Sequence, residues 1–268
     1  MKSAEILNTG NESRIGAETL RAAFIGAQSL RMDVTLSRTY TGKKDLLVIY
    51  GAGAPDRQAI MKKHLNSGRH VICWDVGYVG RGKQTDKHYF RVSVDRTHPN
   101  LMMDQTPNEP GRWSAHHILL RNDYDPKGKI VVAGMGPKSR THLGITDWEI
   151  KTLRATQARF PGRKVIYRPK PRRLVDDVIS WEKDGKTPIA ELLKGASLVI
   201  CRHSNVAVDA CIAGIPVECE DGAAHWLYRN GPNPSQEERL DFLHRLAWWQ
   251  WKTTEMREAW TFLQKVCA

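Results

Sequence analysis

Short apolar runs recur along this chain, and each run ends in a loop that is rich in glycine or in basic residues. The clearest runs cover residues 45–50, 69–75, 129–133 and 197–201. Apolar runs of this length without polar alternation are typical of strands that are buried on both faces of a sheet. Helical patterns separate the runs, so the sequence predicts βαβ units and mostly parallel sheets.

An irregular stretch at residues 97–113 divides the runs into two sets. The length of 268 residues suits two domains of ordinary size. We therefore expect an α/β fold of two Rossmann-like lobes with parallel sheets and a cleft between them. The predicted N-terminal lobe covers residues 1–120, the second lobe covers residues 121–235, and a helical region over residues 236–268 packs on the lobes.

Four tryptophans lie within the helical pattern of that last region, namely Trp248, Trp249, Trp251 and Trp260. Large aromatic side chains at helical spacing are typical of core packing. We expect these side chains to pack inside the protein, and a platform for base stacking is the alternative.

Membrane, secretory and metal-binding features are weak in this sequence. None of the apolar runs approaches the ~20 residues that a membrane helix needs, and the N-terminus lacks the apolar core of a signal peptide. The five cysteines form no CxxC pair, which favours buried reduced thiols over a zinc site. We therefore expect a monomeric cytoplasmic protein with no membrane partner and no required metal.

The charge balance favours a polyanionic partner. Lysine and arginine together number 41 against 29 acidic residues, which gives a formal net charge of +12. Residues 151–173 carry nine basic side chains and no acidic one. The candidate nucleic-acid contacts are Arg81, Lys83, Arg159, Arg163, Arg172 and Arg173.

One carboxylate follows a predicted strand of the first lobe. Asp75 ends the run at residues 69–75 and is followed by the glycine-rich sequence VGYVGRG. A carboxylate at a strand end can act as a general base when a substrate hydroxyl reaches it. Asp75 is therefore the candidate catalytic residue, and a purely structural role in the loop is the alternative.

The loops after the strands of the second lobe combine glycine with positive charge. Glycines after residues 129–133 permit a close backbone approach, and two prolines stiffen the basic loop after residue 167. The third loop leads into a helix whose free N–H groups attract anions. These loops predict a phosphate-binding edge with the candidate residues Gly134, Lys138, Arg168, Lys170, His203, Ser204 and Asn205.

Two segments of the second lobe, VIYRPKPRR at 165–173 and VICRHSNVAVDACIAGIPVEC at 199–219, resemble the donor-binding half of GT-B-fold glycosyltransferases. The pattern is similar to that of capsule-polysaccharide-type transferases and nucleotide-sugar epimerases, and it covers roughly residues 129–222. The resemblance implies a GT-B-like fold whose C-terminal helix crosses back to the first lobe. It also implies a nucleotide-sugar donor, which we expect to be a UDP-sugar, with Glu220 or Asp221 on the ribose hydroxyls.

The short length and the basic charge are similar to those of phage-encoded DNA glycosyltransferases. That resemblance implies transfer of a sugar to a hydroxymethylated pyrimidine in double-stranded DNA, within the host cytoplasm, with Asp75 taking the proton. Two alternatives stay open. One is a GT-B enzyme that acts on a glycan or a nucleotide-sugar, as a transferase or an epimerase. The other is a non-catalytic nucleic-acid-binding protein on a degenerate GT-B scaffold.

Overall fold

The structure is a computed structural model that describes residues 3–82, 84–170 and 181–266, and only the backbone of Lys138 and His142. Within these ranges the chain forms two compact units. Unit 1 contains the chain up to His116 and from His244 onward, and unit 2 contains His117–Leu243.

The division into units differs in detail from the predicted domains. The first boundary falls after His116, where the sequence predicts residue 120. The predicted helical region over residues 236–268 is shared, since its first part belongs to unit 2 and the part from His244 onward belongs to unit 1. The chain therefore returns to unit 1 at its C-terminal end, as the fold class predicts.

Strands and helices alternate through most of the described ranges. The strands are β1 (Ser3–Leu7), β2 (Asp33–Ser37), β3 (Leu46–Tyr50), β4 (His70–Val76), β5 (Phe90–Val94), β6 (Lys129–Ala133), β7 (Val165–Arg168), β8 (Ala196–Cys201), β9 (Val217–Cys219) and β10 (Gln250–Trp251). The helices are α1 (Arg14–Ser29), α2 (Pro55–Asn66), α3 (Pro110–Ser114), α4 (Pro137–Leu143), α5 (Trp148–Arg159), α6 (Ile189–Leu193), α7 (Val206–Ala213), α8 (His225–Tyr228), α9 (Gln236–Ala247) and α10 (Met256–Val266). None of these helices combines the length and the apolarity that a membrane crossing requires.

Each unit is built on one sheet. The sheet of unit 1 has the order β10-β5-β4-β3-β1-β2, in which β1 to β4 are parallel and β5 and β10 are antiparallel. The sheet of unit 2 has the order β7-β6-β8-β9 and is parallel throughout. The predicted α/β class with two Rossmann-like lobes and parallel sheets is confirmed, and the antiparallel pair at one edge of unit 1 is an addition to it.

The four parallel strands of the two units have the same topology. Across the sheet these strands lie in the order β2-β1-β3-β4 in unit 1 and β7-β6-β8-β9 in unit 2. The second strand of each chain segment lies on one side of the first and the third lies on the other, so the direction of the crossovers reverses there. In open α/β sheets a ligand binds at this switch point, beyond the carboxyl ends of the strands. Unit 1 has its switch point between β1 and β3, and unit 2 has its own between β6 and β8.

The C-terminal aromatic side chains complete the core of unit 1. Trp249, Trp251 and Trp260 are buried, and the Trp260 indole N–H donates to the carbonyl of Ala23 in α1 at 2.8 Å. Helix α10 packs closely on α1 because Gly26 has no side chain, and a Cβ there would lie 2.7 Å from the Met256 Cβ. These contacts agree with the predicted packing role of the tryptophans.

Several elements go beyond the sequence prediction. Strand β1 and helix α1 precede the first predicted strand, and α4 occupies residues expected to form a loop. Strand β1 lacks a continuous apolar run because it contains Glu5, whose buried carboxylate accepts hydrogen bonds from Thr41 and Gly42. The carboxylate is satisfied by a distant loop, which the local pattern does not reveal.

Candidate functional site

The carboxyl ends of the unit 2 strands meet at one edge of the sheet. Ala133 of β6 is in register with Arg168 of β7 and with Cys201 of β8, and Cys201 is in register with Cys219 of β9. The loops that follow these residues therefore begin side by side. This edge carries eight of the nine predicted donor residues in or next to those loops, namely Gly134, Arg168, Lys170, His203, Ser204, Asn205, Glu220 and Asp221.

The switch point of unit 2 is bridged by a side-chain contact. His203 follows β8, and its Nε2 lies 3.0 Å from the hydroxyl of Ser139, which belongs to the helix after β6. Lys170, which follows β7, lies along Gly136, since a Cβ on that glycine would be 3.8 Å from the Lys170 Cγ. The lysine is exposed. A histidine and a lysine that both contact the segment after β6 suit a ligand with negative charge.

Gly134 begins the loop after β6 and packs against β7. A Cβ on Gly134 would lie 2.5 Å from the hydroxyl oxygen of Tyr167, so no larger residue fits without a shift. Burial, together with the nearby Glu149 carboxylate, raises the pKa of Tyr167 to about 12, which keeps the phenol neutral at physiological pH. The loop thus runs directly over a buried, uncharged side chain.

A buried glutamate fixes this same loop from another helix. Glu149, in the first turn of α5, accepts a hydrogen bond from the backbone N–H of Met135 at 2.9 Å. It also pairs with Arg140 of α4, whose Nη2 lies 2.5 Å from the carboxylate. Glu149 is not among the residues predicted from the sequence. A glutamate in the first turn of a predicted helix indicates a favourable contact with the helix dipole, but it does not reveal a hydrogen bond to a distant loop.

Arg168 lies at the predicted edge but is engaged in the protein itself. Its Nη1 donates to the carbonyl oxygen of Asp184 at 2.9 Å and approaches the Asp184 carboxylate at 3.5 Å. Hydrogen bonds from Thr187 lower the pKa of Asp184, so the carboxylate is ionised opposite the guanidinium. Arg168 therefore anchors the loop at residues 184–187.

The loop after β8 leads into α7 as predicted. Asn205 is the residue that precedes the first turn, and its side chain makes no capping hydrogen bond to that turn. The Ser204 hydroxyl accepts a hydrogen bond from the Val206 N–H at 3.3 Å. Ser204 and Asn205 thus lie at the start of a helix, next to the strand end that carries His203.

The two candidate ribose ligands differ in their surroundings. Glu220 accepts a hydrogen bond from the Trp148 indole N–H at 2.5 Å and forms an ion pair with Arg202. Asp221 accepts from the N–H of Gly222 at 2.6 Å, within its own turn. Glu220 therefore connects the loops after β8 and β9 to α5, whereas the Asp221 side chain contacts its own turn.

A cavity of about 540 Å³ opens beside this edge, within unit 2. It lies between α5, the strands β8 and β9, and α8. On its wall, Arg159 forms an ion pair with Glu218, which further raises the pKa of the guanidinium. Its lining also includes Thr152, Ile200, Val217, His225, Tyr228 and Arg229.

Asp75 lies at the carboxyl end of β4 in unit 1 and is held on both oxygens. Its Oδ2 accepts from the Arg91 Nη2 at 2.7 Å, and its Oδ1 accepts from the Val76 N–H at 2.7 Å. Burial acts to lower the pKa of Arg91, but the Asp75 carboxylate outweighs it and raises that pKa. Asp75 remains one-third exposed, so a substrate hydroxyl can still reach it.

Three of the six predicted nucleic-acid contacts, Arg81, Arg159 and Arg163, belong to the described residues. Arg163 lies at the amino edge of the unit 2 sheet, where its Nη2 donates to the carbonyls of Pro126 and Gly128. Arg159 is paired with Glu218, and Arg81 lies in unit 1 on the loop after β4. Lys83, Arg172 and Arg173 lie outside the described residues, and so does the side chain of Lys138. Two of the described arginines are therefore occupied by contacts within the protein.

Among the described residues, no group of three or more histidine, cysteine or acidic side chains is arranged to hold a metal ion. The four cysteines in these ranges, Cys73, Cys201, Cys211 and Cys219, are free thiols.

Comparison with known proteins shows the fold. No family model matches the chain, and no curated protein matches it. The solved structure of a KpsC beta Kdo 2,7 transferase from Thermosulfurimonas dismutans is similar, with a TM-score of 0.56, 12% identity, and 98% of this chain and 100% of that chain covered. A KpsC beta Kdo 2,4 transferase from the same organism is similar with a TM-score of 0.53, 12% identity, and 91% and 89% covered. The chain therefore has a GT-B-like fold.

Proposed function

We propose that this protein is a glycosyltransferase that binds a nucleotide-sugar donor at the carboxyl edge of the unit 2 sheet. The observation that carries this proposal is the bridged switch point, where His203 contacts Ser139 and Lys170 lies along Gly136. The position agrees with the general rule for ligands of open α/β sheets. The GT-B-like fold supports a donor on this unit.

The chemistry assigned to this edge is stabilisation of a leaving phosphate. When the bond between the sugar C1 and the donor phosphate oxygen breaks, negative charge grows on that oxygen. Lys170 and the N–H groups at the start of α7 stabilise this charge without reorganisation, which lowers the barrier. Asp221 binds the ribose hydroxyls, and the donor is a UDP-sugar.

The acceptor is a hydroxymethylated pyrimidine in double-stranded DNA. The net charge of +12 supports a polyanionic acceptor. The hydroxymethyl oxygen forms the new bond to the sugar C1, and its proton passes to the Asp75 carboxylate. The ion pair with Arg91 holds this carboxylate in position at the carboxyl end of β4.

A glycan acceptor is the second candidate. The two similar structures are Kdo transferases, and neither name refers to DNA. The engagement of Arg159 and Arg163 within the protein also removes part of the support for a DNA surface on unit 2.

Donor binding is tested by thermal denaturation with a panel of nucleotide-sugars. A donor at 100 times its Kd stabilises the native state by about 2.7 kcal/mol. We expect Lys170→Gln and His203→Ala to weaken donor binding at least tenfold. Lys127→Gln is the matched control, because Lys127 is exposed and precedes β6 at the opposite edge. Equal donor affinity in all three variants would contradict the assignment of this edge.

The acceptor is tested by incubating the protein and the identified donor with hydroxymethylated DNA, unmodified DNA and a glycan panel. Mass analysis of the digested nucleosides detects a sugar added to the base. Transfer to glycans alone selects the second candidate, and DNA binding without donor binding selects the non-catalytic alternative.

A further inference from the structure

Four exposed cations and one half-buried arginine of unit 1 lie on the chain segments around Tyr40, namely the loop after β2 and the end of α2 with the residues that follow it. The loop after β2 and the end of α2 meet there, since the Tyr40 hydroxyl lies 3.0 Å from the His64 Nδ1. Lys63 lies over the Tyr40 ring at 5.7 Å from its centroid, and Arg69 donates to the carbonyl of Gly42. We call this region the Tyr40 patch, and its cations are Arg38, Lys43, Lys62, Lys63 and Arg69.

The positive charge of the patch is not neutralised within the described residues. Lys63 and Arg69 contact neutral groups, an aromatic ring and a carbonyl. Arg38, Lys43 and Lys62 are exposed, and no ion pair or side-chain hydrogen bond involves them in the described part of the chain.

The carboxylates nearest to the patch have other partners. Glu5 is buried and accepts hydrogen bonds from Thr41 and Gly42. Asp33 pairs with Lys44, and Asp95 pairs with His70. Asp45 accepts from the hydroxyl of Ser3. The patch therefore carries five cations against two carboxylates, Glu5 and Asp45, whose hydrogen-bond donors are neutral, and this leaves an excess of positive charge.

We propose that the Tyr40 patch binds the phosphate backbone of double-stranded DNA. The inference rests on the proposed DNA acceptor and names the surface that holds it. Clustered lysines and arginines bind a polynucleotide through its phosphates, without a base code. An anionic membrane is the competing partner, but none of the exposed large apolar side chains of the described residues belongs to the patch. Membrane surfaces normally receive such side chains together with the charge.

The position of the patch sets the length of DNA that it can engage. The amino end of β4 lies next to Arg69, and Asp75 lies five residues further along the same strand. At ~3.3 Å per residue these points are about 17 Å apart. A duplex that reaches from the patch to Asp75 therefore spans about five base pairs at ~3.4 Å each. The patch is a holding surface at a distance from the reacting base.

The test compares two triple variants of equal charge. The patch variant is Arg38→Gln, Lys43→Gln and Lys62→Gln, and the control variant is Lys127→Gln, Arg154→Gln and Lys265→Gln. All six side chains are exposed and make no described contact, so both variants should fold. Fluorescence anisotropy with a labelled 20-base-pair duplex gives the affinity across a salt series.

We expect the patch variant to lose at least tenfold in affinity at moderate salt. The slope of log K against log salt should fall by about two to three, because each lost phosphate contact contributes about 0.9. The control variant should change less than threefold. Equal losses of duplex affinity in both variants, or no binding of the duplex by the unaltered protein, would overturn the proposal that the Tyr40 patch binds DNA. Vesicles containing phosphatidylserine provide the competing probe, and a loss confined to vesicle binding would also overturn it.

Sugar transfer separates this inference from the proposed function. If the patch variant loses DNA binding while the unaltered protein transfers no sugar to DNA, the surface is supported and the DNA acceptor fails. If transfer to DNA occurs and both variants bind equally, the surface fails and the acceptor stands. Donor affinity should be the same in both variants, since none of the six residues lies in the donor edge.

Discussion

Both units fix the loop after their first strand with a buried glutamate and an arginine, but the two glutamates come from different places. In unit 1, Glu12 lies in the loop itself and accepts the Gly10 N–H at 3.0 Å, while Arg57 of α2 lies 3.2 Å away. The Glu12 side chain is fully buried. The loop after β1 is therefore stabilised by a residue two positions along the chain.

In unit 2 the corresponding glutamate is supplied from another helix. Glu149 of α5 accepts the Met135 N–H and pairs with Arg140 of α4. The loop after β6 keeps its shape only while both helices stay packed on the sheet. The same neighbourhood carries Lys170 and His203, whereas Arg57 in unit 1 is already paired with a carboxylate. The comparison teaches that equal topology supports a loop held by its own glutamate in unit 1 and a loop held by a glutamate of a later helix in unit 2, where Lys170 of the neighbouring loop adds positive charge.

The largest effect is expected from removing the unit 2 glutamate. Glu149→Ala leaves the Arg140 charge buried without a partner, which should lower the free energy of unfolding by about 3–5 kcal/mol. Urea denaturation followed by tryptophan fluorescence measures this loss. Donor affinity should also fall at least tenfold, because the Met135 N–H loses the acceptor that fixes the loop.

Glu12→Ala in unit 1 is the matched control for that variant. It also leaves a buried arginine without its carboxylate, so a comparable loss of stability is expected. Donor affinity, measured where both variants are folded, should stay unchanged. If Glu12→Ala weakens donor binding as much as Glu149→Ala does, the expected difference between the two loops in donor binding is contradicted.

Two glycines allow a second matched test. Gly134→Ala would place a Cβ 2.5 Å from the Tyr167 hydroxyl, and Gly16→Ala would place one 2.6 Å from the Tyr50 ring. Overpacking of this kind costs about 1–3 kcal/mol, which calorimetry would detect as a lower Tm in both variants. Only Gly134→Ala should also weaken donor binding.

Removal of the clashing hydroxyl should partly restore the unit 2 variant. Tyr167→Phe combined with Gly134→Ala removes the closest contact but leaves ring carbons at 2.9 and 3.1 Å. We therefore expect partial recovery of Tm and of donor affinity. No recovery would show that the glycine is required for a reason other than the space taken by that hydroxyl.

The strands that could be predicted are those whose environment is apolar on both faces. The runs in β3, β6 and β8 are continuous because helices cover both sides of each sheet, and a local pattern records that burial directly. Strand β1 escaped prediction because Glu5 interrupts its apolar pattern, and its partners lie more than thirty residues away. Helix α4 did carry a local signal, since Pro137 suits a first helical turn.

The sequence predicts where the candidate site lies better than it predicts which side chains contact each other there. The order of strands and loops brings Gly134, Lys170 and His203 to one edge, because parallel strands end together. The pairing of Arg168 with Asp184 and the role of Glu149 depend on which side chains meet after folding. Residue type and spacing do not show which distant side chains meet. From the sequence alone, Arg168 is therefore predicted to bind the donor, and its contact with Asp184 is not foreseen.

A smaller effect is expected from acidification, and it should act on unit 1. Burial lowers the pKa of His116 to about 4, while the unfolded chain has a value near 6.5. The Gln250 amide donates to the His116 Nε2 at 2.9 Å, so the native contact needs the neutral ring. Burial lowers the pKa of His64 as well. The stability from these neutral histidines is present above pH 6.5 and is lost as the pH falls from 6.5 towards 4.

Urea midpoints at pH 7.5 and pH 5 measure this dependence, and hydrogen exchange assigns it to a unit. We expect peptides of the unit 1 sheet to lose protection at pH 5 after correction for the intrinsic exchange rate. His116→Asn should reduce the difference between the two midpoints. An unchanged pH dependence in that variant would mean that His116 does not contribute to it.

The smallest effects should separate the two acidic residues that follow β9. Glu220→Gln removes a half-exposed ion pair with Arg202, so its stability cost should stay below about 1 kcal/mol and donor affinity should not change. Asp221→Asn keeps an oxygen that accepts the Gly222 N–H, so the turn is preserved. It removes the charge that strengthens a hydrogen bond to a ribose hydroxyl, which should weaken donor binding about twofold to tenfold. Calorimetric titration with the identified donor measures the affinity of both variants. A larger loss of donor affinity in Glu220→Gln than in Asp221→Asn would assign the ribose to Glu220. The contact with Trp148 would then position the Glu220 carboxylate for the ribose.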